Sequence, residues 1–580
     1  MGTFHSLASL KTLMPINLSA QLSVSFRKRQ LLFLAATLIT LLLIGYQFGT
    51  FDEAMHIPFL KSMANPALYA GDKMLTLQSI YYSYFWFFFI PFLKLGWLEP
   101  VLFIVHALTI YLSYWAIWEL SDTLFHNPLT SLISVIAFIV PHFSFVGFPV
   151  FEFAPLSRTF VLPFLLIAIN QFLKGRIVLA FFIAGLMYNI HVVSVNFILA
   201  MFGLACLIEF SRIGVRKIIT GGLVFILAAL PVLLWKASGS PIDFSLRPAW
   251  VAFLNQTMFR HIFALIGTFP GTWVIVLCGL SAIGMFFIAF QSVPKIQTDL
   301  TARNFIFAGI IVLLVDIITV YWLPVTIIIQ SQISRIGLWV LILAYIFFAN
   351  YLAELYKQKA LSPTAFWLLM LTYLASPLPV LTVLVWLLVR FVKREKIIKF
   401  AGTFIPLATL ASFIILLSLG FWQPGIFIFG QQTPWVQAQN WARMNTPENA
   451  RFITPPEKIG VQESDWRVHS ERASAGTFSE LLVAAFQPGY EKEWETRFTL
   501  LAPGAEAQFN GDYFANIEII RKAYESLTTK QLLSAACQLN TQYIVSEKPY
   551  THTLPLVYEN SEFAIYDVRQ VGCNNNTELK

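Results

Sequence analysis

The segment RKRQLLFLAATLITLLLIGYQFGTFDEAMH, Arg27–His56, decides the fold. Three cations and a glutamine precede an apolar run from Leu31 to Gly49, about the ~20 residues that cross roughly 30 Å of hydrocarbon. No small-residue cleavage site follows the run, so it reads as a membrane span and not as a secretory signal. Its basic flank belongs on the cytoplasmic side. The adjacent carboxylates Asp52 and Glu53 therefore emerge on the opposite, extracytoplasmic face.

The same pattern extends over most of the chain. Of 580 residues, 57% are hydrophobic and 12% charged, where a soluble protein has about a quarter charged; with a mean hydropathy of +0.68, a water-soluble enzyme is excluded. Single spans are expected at Leu31–Gly49, Tyr82–Trp97, Val101–Leu120, Leu129–Val150, Thr159–Leu173, Ile218–Trp235, Thr272–Phe290, Phe305–Trp322, Ile336–Tyr351 and Phe400–Trp422. Ile177–Phe210 is broken at Asn189-Ile190-His191 and Thr364–Val389 at Ser376-Pro377-Leu378-Pro379, which reads as two hairpins of short helices. Irregular backbone at membrane depth is tolerated against protein or a water-filled cavity, so the breaks point to a cavity.

Charge is unevenly shared. Gln431–Lys580 holds 13 Lys+Arg and 18 Asp+Glu of the chain's 39 and 31, so the tail is acidic and the apolar part basic. The cations sit in short clusters between apolar runs, including Lys174-Gly175-Arg176, Arg216-Lys217 and Lys393-Arg394-Glu395-Lys396. That is a topology signal and not a nucleic-acid surface. The expected architecture is a mostly α, polytopic membrane protein of about 11–14 transmembrane helices with a small C-terminal extracytoplasmic α/β domain. Residues 1–30 form a cytoplasmic N-terminus, 31–422 the multi-pass domain with 50–80 its first outer loop, and 423–580 the outer domain. Five crossings between Arg29 and Lys174 would leave Lys174 outside; a re-entrant segment near Pro141, Gly147 and Pro149 is the expected remedy.

In the tail, Trp435–Met444 reads as an amphipathic helix, Asn449–Thr454 and Tyr543–Ser546 as strands, and Leu556–Tyr558 with Phe563–Asp567 as a hairpin. Cys206 and Cys278 fall in apolar runs; Cys537 and Cys573 lie in the tail, where an oxidising compartment permits a bond between them.

Two adjacent carboxylates at a membrane exit are costly to desolvate and give no packing, so either a solvated loop or a reactive cavity holds them. The loop continues for about thirty residues through His56 and Asp72 with its own apolar pattern, a length more typical of a functional loop than of a connector. Arg158, following Glu152, and Arg335 are membrane-edge cations that need anionic partners: a lipid phosphate, or for Arg158 simply Glu152. His191 at its hairpin break reads either as a site residue or as a satisfied structural group. Asp316 reads as a buried helix contact in preference to a proton-relay acid. The run Tyr81–Phe89 reads as an interfacial aromatic belt or as a groove for an isoprenoid tail. Arg467, Arg472 and Arg497 read as partners of nearby glutamates before an acidic ligand.

With Asp52-Glu53 directly after the first span, the chain resembles the GT-C superfamily of membrane glycosyltransferases, in the Asp-Glu form found in protein O-mannosyltransferases and aminoarabinose transferases. Asn445-Thr446-Pro447, Phe452–Pro456, Arg467 with Ser470 and Arg472, and Glu493-Trp494 with Arg497 resemble the tails of bacterial membrane proteins grouped with these enzymes. The resemblance implies an inverting glycosyltransferase of a bacterial plasma membrane that moves a sugar from a polyprenyl-phosphate donor to a glycan, lipid or protein acceptor. Asp52 would be the base, and Glu53 would orient it or a divalent metal. His56, Asp72, Glu152, Arg158, His191 and Arg335 would contact substrate. A secondary transporter using Asp316, and a non-catalytic assembly protein with a partner-binding tail, are the competing readings. No Walker, dinucleotide, His-Glu-x-x-His or zinc-cysteine pattern is present.

Overall fold

The first span forms a 19-residue helix, Phe26–Ile44, that stops at Gly45 with φ 90°. Beyond it, Tyr46–Gln47 (β1) pairs in parallel with Ile426–Phe427 (β2), so the exit of the first helix is joined to the start of the tail. The computed structural model describes residues 25–571 apart from 51, 144, 146–148, 240–241, 263–269, 294–299, 393–394, 419–423, 459–462 and 485.

Among the described residues, six helices are long and apolar enough to cross a membrane: Leu98–Phe125, Val215–Ser238, Trp273–Ser292, Leu300–Tyr321, Ile333–Gln358 and Lys396–Ile415. Six shorter apolar helices stand with them. The chain is an integral membrane protein, mostly helical, with a small C-terminal sheet. Ile333–Gln358 has 89% of its apolar window buried and is the central helix; Val215–Ser238 and Lys396–Ile415 have 17% and present most of their surface to lipid. Gly309 lets Leu300–Tyr321 approach the central helix closely, since a Cβ there would lie 2.3 Å from Val340 Cγ2.

Both expected hairpins are present: Ile177–Tyr188 with Val192–Ile208, and Pro363–Ala375 with Pro379–Phe391. The first break is satisfied by Asn189. Its amide donates to the Ala228 carbonyl (2.8 Å) and its oxygen accepts the Val232 N–H (3.1 Å), groups left beside the ring of Pro231 inside Val215–Ser238.

Two expected spans are corrected. Tyr82–Trp97 does not cross: it forms a short 3₁₀ turn, Trp86–Phe89, and a five-residue helix, Ile90–Lys94, before Gly96 turns the chain. Among its described residues, Leu129–Val150 is α-helical over the part covered by Pro128–Ala137. Four traverses therefore lead from Arg29 to Lys174: the first helix, Leu98–Phe125, the segment from Pro128 to Glu152, and Ser157–Leu173. Arg29 meets Glu119 at one end of the bundle (3.7 Å) and Arg158 meets Asp52 at the other. The parity gap closes through Tyr82–Trp97; Gly147, within the expected re-entrant segment, lies outside the described residues.

The tail holds a five-stranded sheet, ordered Ala473–Ser474 (β4), Arg451–Ile453 (β3), Tyr543–Glu547 (β5), Phe563–Asp567 (β7) and Leu556–Glu559 (β6). β3 is parallel to β4 and β5; β5, β7 and β6 are antiparallel. Trp435, on helix Pro434–Asn445, packs with Phe452, Trp466 and Phe563 over this sheet. The stretch 50–80 is not an extended loop: Glu53–Ala64 is a helix whose residues from Glu53 to Lys61 are all buried. It lies under the tail, where Lys61 Nζ donates to Val468 O (2.9 Å) and pairs with Glu471 (2.7 Å). Cys206 and Cys278 are free and buried; the expected Cys537–Cys573 bond lies outside the described residues.

Candidate functional site

Asp52 begins the buried helix, its carbonyl accepting the N–H groups of Met55 and His56 (both 3.2 Å). Its side chain stays at the helix mouth, where Oδ2 lies 2.5 Å from Arg158 Nη1. Arg158 stands in the first turn of Ser157–Leu173 and also clasps Glu152 bidentately, Nε to Oε1 at 2.7 Å and Nη2 to Oε2 at 2.5 Å. One guanidinium thus bridges two carboxylates from different segments, using the planar fork that suits such pairing.

A narrow cleft of about 40 Å³ opens beside this triad, lined by Glu152, Arg158, His191, Ser194, Arg335 and Trp339 among others. Arg335, just before the central helix, is close enough to interact electrostatically with Arg158, Asp52, Glu152 and Tyr81. His191 caps Val192–Ile208: its Nδ1 accepts the Ser194 N–H (3.1 Å) and faces Ser194 Oγ (2.8 Å). Neutral His191 therefore carries its proton on Nε2.

Glu53 and His56 face inward from the same helix. Glu53 Oε2 accepts the Gly49 N–H (2.7 Å), Oε1 has no partner among the described residues, and burial pushes the carboxyl up to about 8 against the pull of that N–H. Glu53 is thus a neutral acid at pH 7. His56 stacks on Trp86 with ring centroids 5.2 Å apart, and its Nε2 lies 3.1 Å from the Tyr81 hydroxyl. Burial lowers His56 to about 4, so it too is neutral. Tyr81 also bonds Ser157, and burial first, then Asp52, raises its phenol to about 12.

Asp52, Glu152, Arg158, His191 and Arg335 are brought together; Asp72 is not with them. Asp72 is fully buried against the tail, receiving Arg467 Nε at 2.6 Å, Arg467 Nη2 at 3.2 Å and the Ser474 N–H at 2.9 Å. Arg467 also meets Asp465 and Glu480, and Glu480 meets Arg497 (2.7 Å). These tail arginines are structural ion-pair partners, and Asp72 fastens the acidic segment to them. Arg472 is held by Thr446 and by the carbonyl of Arg443. Asp316 is buried and receives the backbone N–H of Ser334, a helix contact. Tyr81 and Ser157 are the neighbours that sequence reading missed; Tyr81 was hidden in the aromatic run.

A divalent metal finds no donor set in this arrangement. No three acid, His or Cys side chains are grouped as ligands among the described residues, and Arg158 stands where a cation between Asp52 and Glu152 would.

No protein-family model matches the chain, and no curated protein matches it significantly. Solved structures of the Archaeoglobus fulgidus oligosaccharyltransferase are similar at low levels. The apo form shows 11% identity and a TM-score of 0.45, covering 90% of this chain and 70% of that one. The complex with Zn and sulfate shows 12% identity and 0.40, covering 89% and 68%. The complex with an inhibitory peptide and a dolichol-phosphate shows 12% and 0.38, covering 90% and 70%. Identities and scores this low carry no residue role across to this chain.

Proposed function

We propose that the chain is an inverting glycosyltransferase that takes a sugar from a polyprenyl-phosphate donor and works on the extracytoplasmic face of a bacterial plasma membrane. The observation that carries this is the pairing of a carboxylate, Asp52, with Arg158 at the edge of a cleft that Arg158, Arg335 and His191 line.

The reaction needs opposite charges a few ångströms apart. An acceptor O–H attacks the anomeric carbon; its proton passes to a carboxylate, and the bonding pair of the sugar–oxygen bond leaves on phosphate. Asp52 is the base. Arg335 and the His191 Nε2–H receive the developing phosphate charge, since preorganised donors in a dry site stabilise charge better than water does. Glu152 holds Arg158 so that this cation orients Asp52 without leaving the site. Glu53, neutral and buried, anchors the Gly49 turn that aims Asp52. His56, neutral and bonded to Tyr81, fixes the wall behind it.

The test is transfer from a radiolabelled polyprenyl-phosphate sugar in membranes containing Asp52→Asn protein at normal abundance. Loss of about 10²–10⁴-fold is expected for a missing general base. Transfer at the parent rate would remove Asp52 from the chemistry and with it this reading.

A further inference from the structure

Tyr81 lines a second cleft. It holds about 270 Å³ between the rings of Phe59, Tyr81, Trp86, Phe87 and Trp235. Its other margin is polar, formed by Thr76, Gln78 and Ser79 of the turn Met74–Ile80 and by Ser83. Thr76 and Ser79 are exposed and Gln78 half-buried, so these groups stand at the mouth. The Thr76 and Ser79 hydroxyls donate to main-chain carbonyls (2.7 and 3.1 Å), which leaves their oxygens as acceptors. Deeper in, Trp86 Nε1–H is buried with no acceptor among the described residues. Trp235 is held edge-on to Tyr82, Tyr84 and Phe87, with centroids 5.2–6.2 Å apart.

The lining selects among ligands. It contains no Lys, Arg, His, Asp or Glu, so it offers nothing to a phosphate, in contrast to the cleft with Arg158 and Arg335. An isoprenoid chain would leave the buried Trp86 N–H without a partner, a cost that burial of polar groups imposes. A pyranose has an apolar C–H face for the rings and a rim of hydroxyls for Gln78, Thr76, Ser79 and the Trp86 N–H. Tyr81 links this cleft to the charged residues: its ring lines the cleft while its hydroxyl bonds His56 and Ser157, next to Arg158.

We infer that this second cleft seats a neutral saccharide unit of the acceptor, with Tyr81 connecting it to the residues around Asp52 and Arg158; the inference rests on the glycosyl-transfer reading above. The acceptor is then itself a glycan or a glycolipid and enters from the Trp235 side.

The test is saturation-transfer NMR on the full chain in detergent micelles, with methyl glycosides of glucose, mannose, galactose and N-acetylglucosamine as probes. At least one probe is expected to receive magnetisation. Trp235→Ala and Gln78→Ala should each weaken its binding by roughly ten-fold, while Asp52→Asn leaves it unchanged. No signal from any probe, a signal indifferent to both cleft variants, or displacement of the sugar by undecaprenyl phosphate would overturn the inference. None of these results bears on transfer itself: active Asp52→Asn protein sinks the enzymatic reading, and lost sugar binding in active protein sinks only this one.

Discussion

Arg158 Nη1 lies 2.5 Å from Asp52 Oδ2 while the rest of the guanidinium is committed to Glu152. The acidic residue after the first helix and the first turn of a helix more than a hundred residues later are therefore one electrostatic unit.

Replacing Arg158 tests that unit. Arg158→Ala leaves two carboxylates facing each other in a mostly buried setting, and a loss near the low end of ~3–5 kcal/mol is expected for breaking such a pair. Arg158→Lys keeps the charge but loses the fork, so it should fold better than the alanine variant and still transfer poorly. Thermal unfolding of the detergent-solubilised proteins, read beside the transfer rate, separates the two effects. Lysine protein with parent activity would show that charge alone suffices.

Glu53 and His56 give stability a predictable pH course. Glu53 holds its proton to about 8 in the folded chain against 4.5 for the free group, so its contribution is full below pH 4.5 and is lost as pH rises toward 8. His56 titrates near 4 when folded and 6.5 when free, so stability falls as pH drops through that window. Glu53→Gln should remove the alkaline decline, worth on the order of a few kcal/mol, and His56→Gln should flatten the acid side. Melting curves between pH 5 and 9 check both; a Glu53→Gln profile parallel to the parent would show that Glu53 is ionised when folded.

Asp72 is predicted to matter for stability and not for chemistry. Asp72→Asn removes one of the three carboxylates around Arg467, with an expected cost of about 1.5–3 kcal/mol for a buried hydrogen bond to a charged group. Transfer per folded molecule should persist at low temperature. A selective rise in substrate KM with unchanged melting would return Asp72 to the substrate site.

Topology gives a fourth expectation. On the proposed orientation, with four traverses before it, Lys174 is expected to face the cytoplasm and Gln508 in the tail to face outside. Lys174→Cys should resist a membrane-impermeant maleimide in intact spheroplasts, and Gln508→Cys should take it up. Labelling of Lys174→Cys from outside would undo the four-traverse count.

Much of the architecture was legible because it rests on composition. The apolar runs, the two broken hairpins and the strands of the tail follow from hydropathy, Pro placement and alternation, which are local properties. Tyr82–Trp97 misled because aromatic richness mimics a span, while Pro91 and Gly96 and the bond from Tyr84 N–H to Asn189 O keep it short. Asp52, Glu152, Arg158, His191 and Arg335 were each readable as ionisable groups at membrane edges, the positions where such groups are expensive. Their meeting was not readable, since it depends on which helices are neighbours. Asp72 shows the converse: nothing within residues 50–80 announces that its partner, Arg467, lies in the tail.

The pairing of β1 with β2 has a consequence for biosynthesis. Tyr46 leaves the ribosome early and Ile426 late, so at about 5–20 residues per second the first strand waits some tens of seconds for its mate. Until then, the helix that carries Asp52 has no lid over its buried face, and prematurely terminated chains never acquire one. The buried face of that helix is therefore completed only on a polypeptide that extends into the tail.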